Sequence, residues 1–131
     1  MSPDPALPRR GECRTAVVNS SSFGRYCPEA LERLERLGEV TTFDVAPDID
    51  GEKLADHLDG YHFVVASVTP RFPRSFFENN EDVLLIARHG VGCDNVDLDA
   101  AAEHGVVVTR VAKEDERDAV AELSVSLIMA C

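Results

Sequence analysis

Residues 88–97, RHGVGCDNVD, bring a cation, two glycines and three backbone-bonding side chains together in one short run. Gly90 and Gly92 can both take φ > 0 and let the main chain approach a ligand with no Cβ in the way. Successive N–H groups turned inward form a concavity that suits an anion such as a carboxylate. Asp94 and Asn95 can bond to nearby backbone and hold that curvature. Arg88 adds a cation at the rim, able to grip a carboxylate or phosphate in two places. A strand-to-helix turn also wants Gly, Asp and Asn for conformational reasons alone, and G-x-G by itself does not separate the two readings. The run is not the dinucleotide fingerprint, because no third glycine opens a helix at the needed place.

Such a loop needs a scaffold that aims it, and the flanking sequence supplies one. Residues 82–87 (DVLLIA) read as a buried strand leading into the loop. Residues 15–19 (TAVVN), 39–45 (EVTTFDV), 62–68 (HFVVASV) and 106–111 (VVVTRV) read as further strands. Short helices fall between them. Pro28 opens the first, with Leu31, Leu34 and Leu37 on one face. Residues 50–60 carry Leu54, Ala55 and Leu58, residues 74–80 form a third helix, and Asp97 caps a fourth that Gly105 closes. Strands alternating with helices imply right-handed βαβ units, hence an α/β fold: a flavodoxin-like parallel sheet with helices on both faces. Ligands of such sheets sit outside the carboxyl ends of the strands, where loop 88–97 emerges. A phospho-receiver domain shares this fold but needs an acidic pair after strand one and an Asp after strand three. VVNSSSFG and VVASVTP supply neither.

Residues 113–118 (KEDERD) read as a charged connector, and residues 119–131 (AVAELSVSLIMAC) as a helix with Glu122 as its only charge. A helix apolar nearly all round is expected to be buried on most sides. It stops at Cys131 with no following strand and no cap, so the chain is expected to be cut there. Its uncovered apolar face is expected to pair with a second copy, giving a homodimer through residues 119–131.

Across 131 residues, one domain's length, 24 acidic side chains face 13 Lys and Arg, a net charge of −11. Such a surface repels nucleic acid and anionic membrane, which excludes both as partners. No apolar stretch is long enough to span a bilayer. Cys13, Cys27, Cys93 and Cys131 are far apart, with no C-x-x-C pair, no His at a zinc-ligand spacing and no signal peptide in front. These features describe a reduced, cytoplasmic protein without a metal site. Residues 1–12 (MSPDPALPRRGE) read as a disordered leader. Of the histidines, His57 lies in a helix, His62 opens a strand and His104 precedes the capping Gly105. His89 has no carboxylate partner at a motif spacing, so it reads as a rim residue rather than a general base.

Residues 84–111, LLIARHGVGCDNVDLDAAAEHGVVVTRV, resemble the D-isomer-specific 2-hydroxyacid dehydrogenase family, which includes D-3-phosphoglycerate dehydrogenase. That family shows an arginine, a G-x-G-x-D-N-[IV]-D run, an Ala-rich helix, a glycine and an apolar strand. Residues 116–130, ERDAVAELSVSLIMA, are similar to the helix that opens the family's nucleotide domain. The resemblance implies a substrate-binding lobe over 13–111, and a hinge with the first nucleotide-domain helix over 112–131. NAD or NADP would be bound by a downstream Rossmann domain absent from this chain. It implies a small 2-hydroxy or 2-oxo acid whose carboxylate meets the main-chain N–H groups of Val91 and Gly92. Gly90, Arg88 and Ser67 would lie on the substrate side, with Asp94 and Asn95 orienting the loop. The family's acid–base histidine, its glutamate and a second arginine fall downstream, so no catalytic residue lies in this chain and it is expected to be inactive alone. Two departures stand out. Ala66 occupies the place where phosphoglycerate-type members carry an arginine, which weakens 3-phosphoglycerate as substrate. RVAKED replaces the usual Asn-Thr-Pro-Gly after strand five. A stand-alone module that binds a small carboxylate without catalysis is the alternative.

Overall fold

The computed structural model describes residues 7–130, among which five strands alternate with five helices. In chain order these are β1 (Cys13–Val18), α1 (Pro28–Glu35), β2 (Gly38–Phe43), α2 (Gly51–His57), β3 (Phe63–Ala66), α3 (Arg74–Asn79), β4 (Leu85–Arg88), α4 (Leu98–Glu103), β5 (Val107–Thr109) and α5 (Lys113–Ala130). Every neighbouring pair of strands is parallel, in the order β2-β1-β3-β4-β5. This is the flavodoxin-like order that the alternation of apolar runs and helical spacings implied.

Side chains alternate across a strand, so each strand here feeds two layers. Ala16, Val18, Val64, Ala66 and Ile86 share one face with Leu54 and Leu58 beside α2, Phe76 and Phe77 of α3, and Ala100 of α4. Phe72, Phe76 and Phe77 are essentially inaccessible, and successive rings meet edge to face with centroids 5.1 Å apart. Truncating one of these rings to alanine costs about 3–5 kcal/mol. The opposite face is covered more thinly. None of α1 is fully buried, and its Ala30 and Leu34 line an open groove with Val65 and Ala87.

The Asp97 cap forms as expected, its carboxylate accepting from the Ala100 N–H at 2.9 Å. The last segment departs from expectation twice. Residues 113–118 are helical and belong to α5, since nothing in the charged run breaks a helix of Glu, Arg and Ala. The described residues of α5 are all exposed rather than buried, because the helix leads away from the sheet instead of packing on it. Of the leader, residues 1–6 lie outside the described residues, as does Cys131 of the proposed pairing segment. Residues 10–12 form a turn whose Gly11 N–H donates to the Leu37 carbonyl at 2.7 Å. No helix among the described residues is long and apolar enough to cross a membrane.

Candidate functional site

Four strand exits meet at the carboxyl edge of the sheet, and two asparagines stitch them together. Asn19 sits at φ 50°, a conformation asparagine tolerates better than most side chains. Its Nδ2 donates to the Val45 carbonyl (3.0 Å) and Thr69 Oγ1 (3.2 Å), while its Oδ1 accepts from the Val45 N–H (2.8 Å). The exits of β1, β2 and β3 are thereby tied. Asn95 does the same for β3 and β4. Its Nδ2 donates to the carbonyls of Ser67 (3.1 Å) and Pro70 (2.9 Å), and its Oδ1 accepts from Arg88 Nε (3.2 Å). The backbone adds to this: the Phe72 N–H donates to the Asn95 carbonyl (2.7 Å), and the Asp97 N–H to the Phe72 carbonyl (2.9 Å).

Arg88 is a brace rather than a rim cation. Only 7% of it is exposed, and it donates through Nε to Asn95 and through Nη1 to the His89 carbonyl at 2.8 Å. Two of its three nitrogens hold the loop, so only Nη2 is free of a protein acceptor among the described residues. The expected two-point grip on a ligand is not available while the loop keeps this shape. A single charge-assisted contact is.

The two glycines differ in kind. Gly90 has φ +150°, and a Cβ there would lie 2.9 Å from Nη1 of the immobilised Arg88. Gly90 is thus glycine for the fold. Gly92 does not have the positive φ that the sequence allowed, and an added Cβ would meet only the Asp94 carboxylate, at an ordinary 3.7 Å. The turn does not require glycine at 92. What the missing side chain leaves there is open space beside the backbone.

That backbone is aimed. The Gly90 carbonyl accepts from the Val111 N–H (3.0 Å) and the Val91 carbonyl from Arg110 Nη1 (3.1 Å), so both carbonyls face the β5 exit. In a planar trans peptide the N–H points opposite its carbonyl. The N–H groups of Val91 and Gly92 are therefore both turned away from the β5 exit. From Val91 to Asn95, no N–H donates to an acceptor among the described residues. Arg110 escaped the sequence reading because only the register of β5 on β4, Ala87 beside Thr109, brings it against the loop.

A cavity of about 350 Å³ opens at this edge, lined by Pro47, Val68, Thr69, Arg71, Arg88, Gly92, Asp94 and Asn95. Two arginines against one carboxylate give its lining a net positive charge in a chain of net charge −11. Of the expected site residues, Arg88, Gly92, Asp94 and Asn95 come together here, while Ser67, Gly90 and Val91 do not line the cavity. Ser67 contributes its carbonyl to Asn95. Val91 lines a separate hollow with Lys113, Glu116, Arg117, Val120 and Ala121 at the base of α5. Asp94 is exposed and takes no part in the hydrogen bonds that hold the loop, so the curvature assigned to it rests on Asn95 instead. His89 is exposed as expected, but its Nδ1 lies 2.8 Å from the hydroxyl of buried Ser20. Nothing local in the sequence signals that pairing, which spans 69 residues.

The N-termini of α1 and α4 lack the geometry of a dinucleotide site. A pyrophosphate needs a glycine turn leading from a strand straight into a helix N-terminus. Here α1 starts at Pro28, well after β1 ends at Val18, and the first turn of α4 is already capped by the anionic Asp97.

Residues 17–126 match the family model of the D-isomer specific 2-hydroxyacid dehydrogenase catalytic domain. A D-3-phosphoglycerate dehydrogenase of Methanocaldococcus jannaschii is 33% identical over 102 residues, covering 78% of this chain and 19% of that protein. The apo-structure of D-lactate dehydrogenase from Escherichia coli superposes with a TM-score of 0.71 at 32% identity, over 88% of this chain and 36% of that one. An NAD+-bound 3-phosphoglycerate dehydrogenase of Entamoeba histolytica shares the fold at 20% identity (TM-score 0.68), over 90% of this chain and 38% of that one. The chain thus spans about a fifth of the length of the first relative and about a third of the two structures.

Proposed function

Since the chain belongs to the D-isomer-specific 2-hydroxyacid dehydrogenase family, we propose that it is the substrate-binding lobe of an enzyme interconverting D-2-hydroxy and 2-oxo acids. The observation that carries this reading is the pair of N–H groups at Val91 and Gly92, both turned from the β5 exit beside a glycine that the turn itself does not need. The substrate carboxylate accepts from these two amides, and Arg88 Nη2 adds a charged donor on the cavity wall. Hydrogen bonds to a charged group stabilise by about 1.5–3 kcal/mol each, enough for two amides to fix the orientation of so small a molecule.

The hydride is supplied by NAD or NADP, held by a further domain beyond residue 131. The lobe's own work is to bind and orient the acid. Ser67 acts from behind the loop through its carbonyl rather than by touching substrate. Among the described residues Cys13, Cys27 and Cys93 are unpaired, which suits the reducing cytoplasm. The −11 charge disfavours nucleic acid and anionic membrane as partners, and the locally positive lining of the cavity suits a small acid. The exposed face of α5 pairs with a second copy in a homodimer.

The test compares two proteins. The full-length enzyme should reduce 2-oxo acids with NADH or NADPH to D-products, and the 131-residue chain should turn over none. A full-length protein that binds carboxylates yet reduces none would favour the non-catalytic binding module. Turnover by the 131-residue chain would overturn the division of labour.

A further inference from the structure

The two amides assigned to the substrate carboxylate are held in different ways. The Val91 N–H belongs to the peptide whose carbonyl, on Gly90, accepts from the Val111 N–H at 3.0 Å. That is a main-chain bond, which any residue but proline at 111 would supply. The Gly92 N–H belongs to the peptide whose carbonyl, on Val91, accepts from Arg110 Nη1 at 3.1 Å. Among the described residues no other donor reaches that carbonyl. One side chain therefore sets the orientation of the Gly92 amide.

This peptide needs holding more than its neighbour does. Gly92 has no Cβ to restrict rotation of the peptide before it, and its N–H donates to no acceptor among the described residues. A half-turn of the Val91–Gly92 peptide plane would swing the N–H toward the β5 exit and bring the carbonyl oxygen round in its place. That oxygen would repel a carboxylate where the N–H now offers it a donor. The guanidinium opposes the turn, because its bond to the carbonyl exists in only one of the two orientations. It also polarises the peptide: a cation on the carbonyl oxygen makes the N–H at the other end a stronger donor. Arg110 does not line the cavity, so it reaches a ligand there only through this peptide. α5 begins just beyond it at Lys113, and Arg110 opens the RVAKED run in which this chain departs from Asn-Thr-Pro-Gly. The tether is thus a feature of this chain's own hinge.

We propose that Arg110 is a positioning residue for the substrate carboxylate: it holds the Val91–Gly92 peptide with its N–H away from the β5 exit and strengthens that N–H as a donor. This rests on the dehydrogenase reading above and adds the residue that sets one of its two amides.

The experiment uses the full-length enzyme with whichever of pyruvate, glyoxylate, hydroxypyruvate and 3-phosphohydroxypyruvate it reduces best, and with the unreactive analogue oxamate as inhibitor. Arg110→Met keeps a long stem and removes the donor. It should raise KM and the oxamate inhibition constant together, by about 3- to 10-fold, as expected for the loss of one ordinary hydrogen bond. The fall in kcat should be smaller, because the carboxylate contact is made in the ground state and the transition state alike. Arg110 is exposed, so the urea midpoint should not move. In a Gly92→Ala background, where a methyl already obstructs the amide, Arg110→Met should change KM by less than about twofold, since both substitutions act on one contact. A role confined to folding would add its full cost in either background. Unchanged KM and oxamate inhibition in Arg110→Met, or a loss that recurs in full on Gly92→Ala, would overturn the inference and leave the dehydrogenase reading intact. If none of the four acids is reduced, the dehydrogenase reading falls and this inference with it.

Discussion

Replacing each loop glycine by alanine separates folding from function within three residues of chain. At Gly90 the alanine methyl would lie 2.9 Å from Nη1 and 3.3 Å from Cζ of an arginine held by two hydrogen bonds, at a φ of +150° that L-residues rarely adopt. Backbone strain of this kind costs about 1–3 kcal/mol, before any loss of the Arg88 contacts is counted. At Gly92 the methyl meets nothing nearer than 3.7 Å and φ is not positive. There alanine should leave stability unchanged, or raise it by about 0.4–1 kcal/mol by restricting the unfolded chain. Activity should run the other way. A methyl beside the Gly92 amide obstructs the carboxylate, and losing one charged hydrogen bond worth about 1.5–3 kcal/mol lowers kcat/KM by about 10- to 150-fold. Denaturant midpoints and steady-state kinetics on the full-length enzyme give both quantities. The reasoning fails if Gly92→Ala destabilises as much as Gly90→Ala, or if a folded Gly92→Ala enzyme keeps its kcat/KM.

Two further outcomes follow from other parts of the molecule. The Arg74 hydrogen bond, and then its charge, hold the Glu103 carboxyl below its usual range. The pair's contribution is thus present above the ordinary carboxylate pKa and is lost as pH falls through the depressed folded value. Both side chains are exposed, so the effect is small: Glu103→Gln should lower the urea midpoint slightly near neutral pH and not at all in acid, and a gap that widens in acid would contradict the sign. The second concerns α5, where Val120, Leu123, Val125, Leu127, Ile128 and Met129 are 56–82% exposed. Burying a large aliphatic side chain stabilises by about 1.5–3 kcal/mol, and salt screens the −11 charge that opposes association. Light scattering of the 131-residue chain should therefore report a dimer that strengthens with salt, and a monomer mass in high salt would refute the pairing.

The parallel sheet was legible because strands buried on both faces must be short apolar runs, and TAVV, FVVA and LLIA can be little else. The glycine loop was legible because its residue types are local. What was not legible depends on who meets whom across the sheet edge. Arg88 reads as a free cation until Asn95 and the His89 carbonyl are placed against it. Gly90 and Gly92 look alike until one is found beside that arginine and the other beside open space. The exposure of α5 has a different origin. Apolar composition reports that a face wants cover, not that this lobe provides it.

A crystal structure of the full-length enzyme with oxamate, an unreactive amide analogue of the 2-oxo acids, would observe the carboxylate contact itself. One carboxylate oxygen should lie about 2.7–3.2 Å from the backbone nitrogens of Val91 and Gly92, with Arg88 Nη2 close by. A carboxylate bound in the cleft but out of reach of both nitrogens would return the glycine loop to a turn and nothing more.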